Sequence, residues 1–295
     1  MSPDPRIREG VAAGLGAYLI WGLVPIFFKW LGAVPADEII AHRIVWSLIV
    51  MAAVLAFGSD FAQVRAAVRS PAQLARVSLG ALLVSTNWLV FVYAVNTDRI
   101  LATSLGYFIL PMVSVSLGVV VLGERLRPLQ WLAVSCATIG IVAEAVHVGE
   151  LPWISLALAG TFGLYGLLRK RLSMDAASGL FLETACMLPL ALAYMAWIGA
   201  TRGNHFGEST PLSLLLVASG VVTALPLWLF GISARRLPLI TIGFMQYSAP
   251  MISAAIAIAF YGEPVDTARI VAFAAIWIGI ALYSADLWRH ARTPG

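Results

Sequence analysis

Apolar runs of about twenty residues recur along the whole chain, at roughly 11–32, 36–57, 74–95, 101–122, 128–147, 151–171, 176–199, 212–234, 239–261 and 265–287, each bounded by charges, proline or glycine. A helix needs about 20 apolar residues to cross the roughly 30 Å hydrocarbon core of a bilayer, where no water satisfies an open backbone. Ten such runs leave under a hundred of the 295 residues for loops and tails. The composition agrees: 60% of the residues are apolar and 12% charged, against roughly 45–50% and about 25% in soluble domains. A water-soluble fold is therefore excluded, and the chain is expected to be an all-α polytopic membrane protein of ten transmembrane helices. The first run is too long for the core of a signal peptide and lacks an A-x-A cleavage signal, so it is expected to stay as a helix.

The formal charge of +4 would suit an acidic partner such as nucleic acid, but the cations are distributed as a membrane topology distributes them. With the N-terminus cytoplasmic, Arg6, Arg8, Arg65, Arg69, Arg76, Arg125, Arg127, Arg169, Lys170, Arg171, Arg235, Arg236, Arg289 and Arg292 lie inside, and only Arg99 and Arg202 outside. Fourteen against two places both termini in the cytoplasm and makes the lipid bilayer, not nucleic acid, the macroscopic partner. Lys29, Arg43 and Arg269 fall within or at the ends of spans. Trp30, Trp131, Trp153, Trp197 and Trp288 lie near span ends, where an indole anchors in the headgroup layer. Trp21, Trp46, Trp88, Trp228 and Trp277 lie nearer mid-span, where an indole N–H faces protein or a wet cavity. Cys136 and Cys186 sit inside apolar runs and read as buried small side chains.

Displacing the chain against itself by 139 positions superposes Pro111, Met112, Ser114, Gly123, Glu124, Ala133, Ile139, Gly140 and Ile141 on Pro250, Met251, Ser253, Gly262, Glu263, Ala272, Ile278, Gly279 and Ile280. A shift of 140 continues the match upstream, pairing Gly80, Trp88, Leu89 and Ala94 with Gly220, Trp228, Leu229 and Ala234. The unit is five helices, with copies at 1–147 and 148–295. Five is odd, so the second copy enters the membrane inverted, the construction of secondary transporters with a site near the midplane. Pro111 and Pro250 each remove a hydrogen bond in mid-span, which suits gates and equally suits packing bends. The Gly-Glu pairs at 123–124 and 262–263 read as structural helix ends.

These residues resemble the drug/metabolite transporter superfamily in its EamA-type branch of two five-helix repeats. Trp21-Gly22 and Lys29 in the first span carry the likeness, with the Pro, Gly-Glu and Gly pattern of each repeat. More narrowly, V-P-A-D-E-I-I-A-H-R at 34–43, N-W at 87–88, S-L-G-Y-F at 104–108, Y-G-L-L-R-K at 165–170, E-T at 183–184 and G-F-M-Q-Y-S-A-P at 243–250 are similar to the RarD type, the chloramphenicol-sensitivity proteins. The resemblance implies a ten-helix carrier in the bacterial cytoplasmic membrane, both termini inside, moving a small organic metabolite or drug.

An ionisable group inside a span costs roughly 2.5–3.5 kcal/mol on insertion scales and marks a functional site by default. Arg43 and Glu183 stand deepest, and a shift of 140 superposes one on the other. Arg43 offers a planar fork for a carboxylate or phosphate; Glu183 offers a site for an ammonium group or a coupling proton. The alternative is that each is neutralised by a protein partner, Arg43 by Glu38 or Glu144. His42 lies one turn after Glu38 and is a candidate proton switch or a hydrogen-bonded helix-end histidine. Asn87 and Gln246 are uncharged mid-span polar groups that need a partner or a wet cavity. Trp21, Trp88, Tyr107, Tyr165 and Tyr247 offer an aromatic wall for an organic solute, or serve singly in packing.

There is no G-x4-G-K-[ST] to bind ATP, so a secondary transporter working by alternating access is expected, an exporter with protons as the candidate coupling ion and uptake as the alternative. An intramembrane enzyme would need a metal pair or nucleophile motif, whereas the histidines at 42, 147, 205 and 290 are scattered and no G-x-S-x-G occurs. A channel or scramblase would line one helix face with polar residues, which is not the pattern. No cofactor or metal is expected. The GxxxG of Gly10 and Gly14 is accounted for by packing within one chain, and monomer and homodimer both stay open.

Overall fold

The computed structural model describes residues 4–58, 61–97, 99–148, 153–261 and 267–292. Among these the regular structure is helical throughout: α1 (Pro5–Trp30), α2 (Ala36–Gly58), α3 (Ala62–Val68), α4 (Pro71–Asn96), α5 (Ile100–Leu122), α6 (Pro128–Val148), α7 (Trp153–Arg171), α8 (Ala176–Thr201), α9 (Thr210–Arg236), α10 (Leu239–Gln246), α11 (Ser248–Tyr261) and α12 (Thr267–Arg292). The ends follow local chemistry. Asp4 accepts the backbone N–H of Arg6 ahead of Pro5, Asp175 accepts that of Ser178, and Ser209 accepts that of Leu212 ahead of Pro211. Gly123 closes α5 in the left-handed conformation, φ 68°, where a side chain would be strained.

Two elements depart from the ten expected runs. The short α3 occupies the connection between the second and third runs, and the ninth run, 239–261, is divided into α10 and α11. Pro250 has no N–H to give the carbonyl of Gln246 four residues earlier, and α10 ends there. The Ser248 hydroxyl then donates to the Met245 carbonyl at 2.6 Å, a local bond that competes with the helical ladder. Pro111 stands inside an uninterrupted α5 instead. Its neighbour at the position matching Ser248 is Ile109, which has no donor to stabilise a break. Pro25, Pro189 and Pro226 likewise sit inside α1, α8 and α9.

The most extensive packing joins helices of the first half to helices of the second. α1 lies on α9 and α11, α7 on α4 and α5, α2 on α8 and α9, α5 on α10, and α6 on α12. The stretches 1–147 and 148–295 therefore interleave. The largest core cluster, including Tyr18, Met51, Tyr165, Leu180, Leu227 and Phe230, is drawn from both. Large apolar side chains point outward on the same helices, among them Leu15, Leu19 and Leu23 on α1, Leu79, Leu82 and Leu89 on α4, and Leu190 on α8. Apolar outside with polar groups turned inward is the arrangement lipid imposes. Among the described residues seven stretches are long and apolar enough to cross a membrane: Pro5–Trp30, Ala36–Gly58, Pro71–Ala94, Leu105–Leu122, Ala176–Thr201, Thr210–Arg236 and Leu239–Phe260.

Candidate functional site

Arg43 stands seven residues into α2, about 10 Å along the helix from its start. Its Nε–H donates to Thr223 Oγ1 on α9 at 2.7 Å. The Thr223 hydroxyl in turn donates to the Ser219 carbonyl at 2.7 Å, which fixes its lone pairs toward the guanidinium. The guanidinium carbon lies 4.7 Å from the ring centroid of Trp88 on α4 and 5.3 Å from that of Phe28 on α1. Tyr107 on α5, itself exposed, is near enough to interact electrostatically with Arg43. Among the described residues no carboxylate lies within 4 Å of this cation. Aromatic rings and a hydroxyl hold it, and its two Nη groups have no hydrogen-bond acceptor among those residues.

Of the two carboxylates considered as partners for Arg43, Glu38 is engaged elsewhere. Its Oε1 accepts the backbone N–H of His205 at 2.7 Å and its Oε2 lies 2.8 Å from His205 Nδ1. The Glu144 side chain lies outside the described residues. His42, one turn after Glu38, accepts the Trp46 indole N–H on Nδ1 at 3.3 Å.

Glu183 is fully buried on α8, also seven residues from its helix start. Its Oε2 accepts the Tyr165 hydroxyl at 2.9 Å and its Oε1 accepts Arg169 Nη1 at 3.3 Å, while Arg169 Nη2 donates to the Ala176 carbonyl at 2.8 Å. Arg169 is 2% exposed, so a charge pair with its hydrogen bonds sits inside the bundle. Glycines make the room. A Cβ on Gly179 would lie 2.4 Å from Arg169 Nη1, one on Gly231 2.3 Å from Nη2, and one on Gly80 2.8 Å from Glu183 Oε1. Arg43 and Glu183 thus occupy separate places: their neighbours on α4, Trp88 and Gly80, stand eight residues apart, about 12 Å along the axis.

The remaining candidates divide between these two centres and the helix break. Asn87 donates to the Leu158 carbonyl at 2.9 Å and to Thr161 Oγ1 at 3.0 Å, tying α4 to α7. Gln246 accepts the Ser114 hydroxyl at 2.8 Å, tying the end of α10 to α5. Tyr247, at the break, is buried with its hydroxyl lacking a partner among the described residues and with its ring 6.5 Å from that of Phe244. Trp21 and Tyr165 meet around Phe230, at 5.9 Å and 6.1 Å, with Phe162 between them. The five aromatics considered as one wall therefore fall into three places: Trp88 and Tyr107 by Arg43, Trp21 and Tyr165 by Phe230, and Tyr247 by the α10–α11 break. Arg169, Thr223, Phe28 and His205 were not singled out from sequence. For Arg169 a signal exists, since it follows Tyr165 by four residues and so shares its helix face.

Comparison with known proteins agrees with this architecture. Residues 8–143 match the model of the EamA-like transporter family. An uncharacterized transporter of Pseudomonas aeruginosa is 45% identical over 289 residues, covering 97% of each chain. Protein RarD of Escherichia coli is 40% identical over 290 residues, covering 98% of each. A solved crystal structure shares the fold at 21% identity, with a TM-score of 0.71 over 94% of this chain and 97% of the other. The chain belongs to the EamA family of the drug/metabolite transporter superfamily, in its RarD type.

Proposed function

We propose that this membrane transporter is a secondary carrier for small organic solutes bearing a carboxylate, that it works by alternating access across the cytoplasmic membrane, and that Arg43 is its anion-binding residue. The observation that carries this is the state of Arg43: Trp88 and Phe28 lie against the guanidinium and Thr223 takes its Nε–H. The Nη edge is what remains, and it has the bidentate geometry that a planar carboxylate matches. Arg43 is half-buried, and a cation so placed without an anion is costly in a low-dielectric site; a bound solute carboxylate offsets that cost. The two rings beside it suit an apolar or aromatic solute body.

Ten spans in two inverted repeats, with both termini inside, is the architecture of this proposal. In its support, exchanging each helix for its counterpart one repeat away turns the α1–α9 packing into α7–α4 and the α1–α11 packing into α7–α5. The break at Pro250 supplies a flexible point where α10 and α11 meet, and Pro111 a second point at which α5 lacks one hydrogen bond. Glu183 has both oxygens engaged by Arg169 and Tyr165. Its part in the proposed cycle is to hold α7, α8 and α4 together in this state, not to bind solute in it. We propose export as the direction, with protons exchanged inward; the His42, Glu38 and His205 cluster beside Arg43 supports the involvement of protons.

Proteoliposomes of the wild type are expected to exchange labelled benzoate for unlabelled benzoate in counterflow, and to release preloaded benzoate faster with an acid-outside gradient. Arg43→Ala should lose at least tenfold in initial rate, and Arg43→Lys, which keeps charge but not the fork, should fall between them. Equal rates in all three would overturn the assignment of Arg43.

A further inference from the structure

The segment 202–209, between α8 and α9, is bound to the first two turns of α2. Arg202 Nη2 lies 2.6 Å from Asp37 Oδ2, and the Tyr194 hydroxyl donates to the same carboxylate. Beside that pair the Glu38 carboxylate is fully buried, with each oxygen engaged by His205. His42 is 1% exposed; its Nε2 stands 4.0 Å from Glu38 Oε1 and has no hydrogen-bond partner among the described residues. Because the Trp46 N–H donates to His42 Nδ1, the proton of a neutral His42 is on that Nε2, directed toward the carboxylate. Phe206 stacks over the His42 ring at 5.3 Å and completes the cover. His205 is part-exposed, so its ring is in reach of water.

We propose that Glu38, His205 and His42 form a proton-binding site that locks segment 202–209 onto α2 as the outer gate of the Arg43 site. This rests on the carrier reading above, in which that segment is external. With His205 neutral, its Nδ1–H donates to Glu38 and Nε2 keeps a lone pair. One proton taken from water by Nε2 makes the ring an imidazolium, and the contact with Glu38 becomes charge-assisted, about twice as strong as its neutral form. Imidazole is the side chain that changes charge between pH 5 and 8. Closure is therefore favoured by proton binding at His205 and weakened by its loss. Among the described residues, the other charged or titratable groups beside the cluster are Asp37, Arg202 and Tyr194, already bound to one another, Glu208, whose backbone N–H donates to the His205 carbonyl at 3.3 Å, and Arg43, one residue after His42. α9 and α4 present Thr223 and Trp88 at this level, neither of which titrates. His42 is sealed beneath Phe206 whereas the His205 ring is part-exposed, so His205 is the group that takes the proton from solvent.

The test is hydrogen–deuterium exchange of the full-length protein in nanodiscs at pH 5.5 and pH 7.5, corrected for intrinsic exchange, read on peptides covering 202–209. In the wild type, protection of this segment should rise at least fivefold at the lower pH. His205→Gln keeps a donor but no titrating ring, and its protection should be the same at both pH values within a factor of two. His205→Lys carries a fixed charge and should be protected at both. A wild-type segment with pH-independent protection, or a His205→Gln protein with the full wild-type response, overturns the proposal. Benzoate counterflow in the same preparations separates the two claims: a pH-insensitive segment on an active carrier sinks the gate alone, and a pH-responsive segment on an inactive protein sinks the carrier reading.

Discussion

Two charged side chains, each seven residues into its helix, are treated differently by their surroundings. Arg43 is held by rings and a hydroxyl, whereas Glu183 is held by a guanidinium and a phenol. Removing one member of a buried pair leaves the other uncompensated, at a cost of about 3–5 kcal/mol. Arg169→Ala is accordingly expected to lower the thermal midpoint far more than Arg43→Ala does, measured on purified protein without solute. Gly231→Ala should act like Arg169→Ala, since its methyl would occupy the space of Nη2; a midpoint unchanged by Gly231→Ala would mean that the guanidinium is not held as described. The depth of Arg43 and Glu183 was legible from span boundaries. The identity of their partners was not, because Arg169 reads in sequence as one of three cations closing an inner helix end. Only the fold turns it inward, into gaps left by Gly179 on α8 and Gly231 on α9.

At the level of elements, the Gly-Glu pair after α5 has a larger task than ending a helix. Glu124 accepts the backbone N–H groups of Leu239 and Ile240 at 2.7 and 2.9 Å, and so caps α10, an element of the other half. Lys170, 3.8 Å away, balances its charge and donates to the Leu237 carbonyl. Glu124→Ala frees two N–H groups and is expected to cost about 1–2 kcal/mol, the range of a lost helix cap, with exchange accelerated in α10 first. Fast exchange that begins in α5 instead would contradict the capping role. Gly262-Glu263 lies outside the described residues. Pro250→Ala restores a donor to the Gln246 carbonyl, so it should raise the thermal midpoint while slowing counterflow; faster counterflow would count against the break as a working hinge. Helix positions were readable because hydropathy and proline are local. The break was not, since Pro111 carries the same proline and stays helical; the difference lies in Ser248 against Ile109.

Over the whole molecule, the two halves reach their packed form only together, because the principal contacts of α1 and α7 are each with helices of the other half. The interleaving was not legible in the sequence, since a match at a displacement of 139 positions says nothing of which half a helix packs on. The proposed topology, with both termini inside, puts Ser173 inside and Glu208 outside. In right-side-out vesicles a membrane-impermeant maleimide should label Glu208→Cys, in a background without Cys136 and Cys186, and leave Ser173→Cys unlabelled until the membrane is opened. The reverse pattern would invert the topology and with it the outer position of the 202–209 segment.

The assignment of Arg43 as the anion site is tested most directly by thermal stability of the reconstituted protein against benzoate, phenylalanine and a neutral amphenicol, with wild type and Arg43→Ala measured side by side. The carboxylates should raise the wild-type midpoint in a saturable way, and the variant should show no such rise. Equal shifts in wild type and variant, or a wild-type response to the neutral compound alone, would contradict a carboxylate held by Arg43.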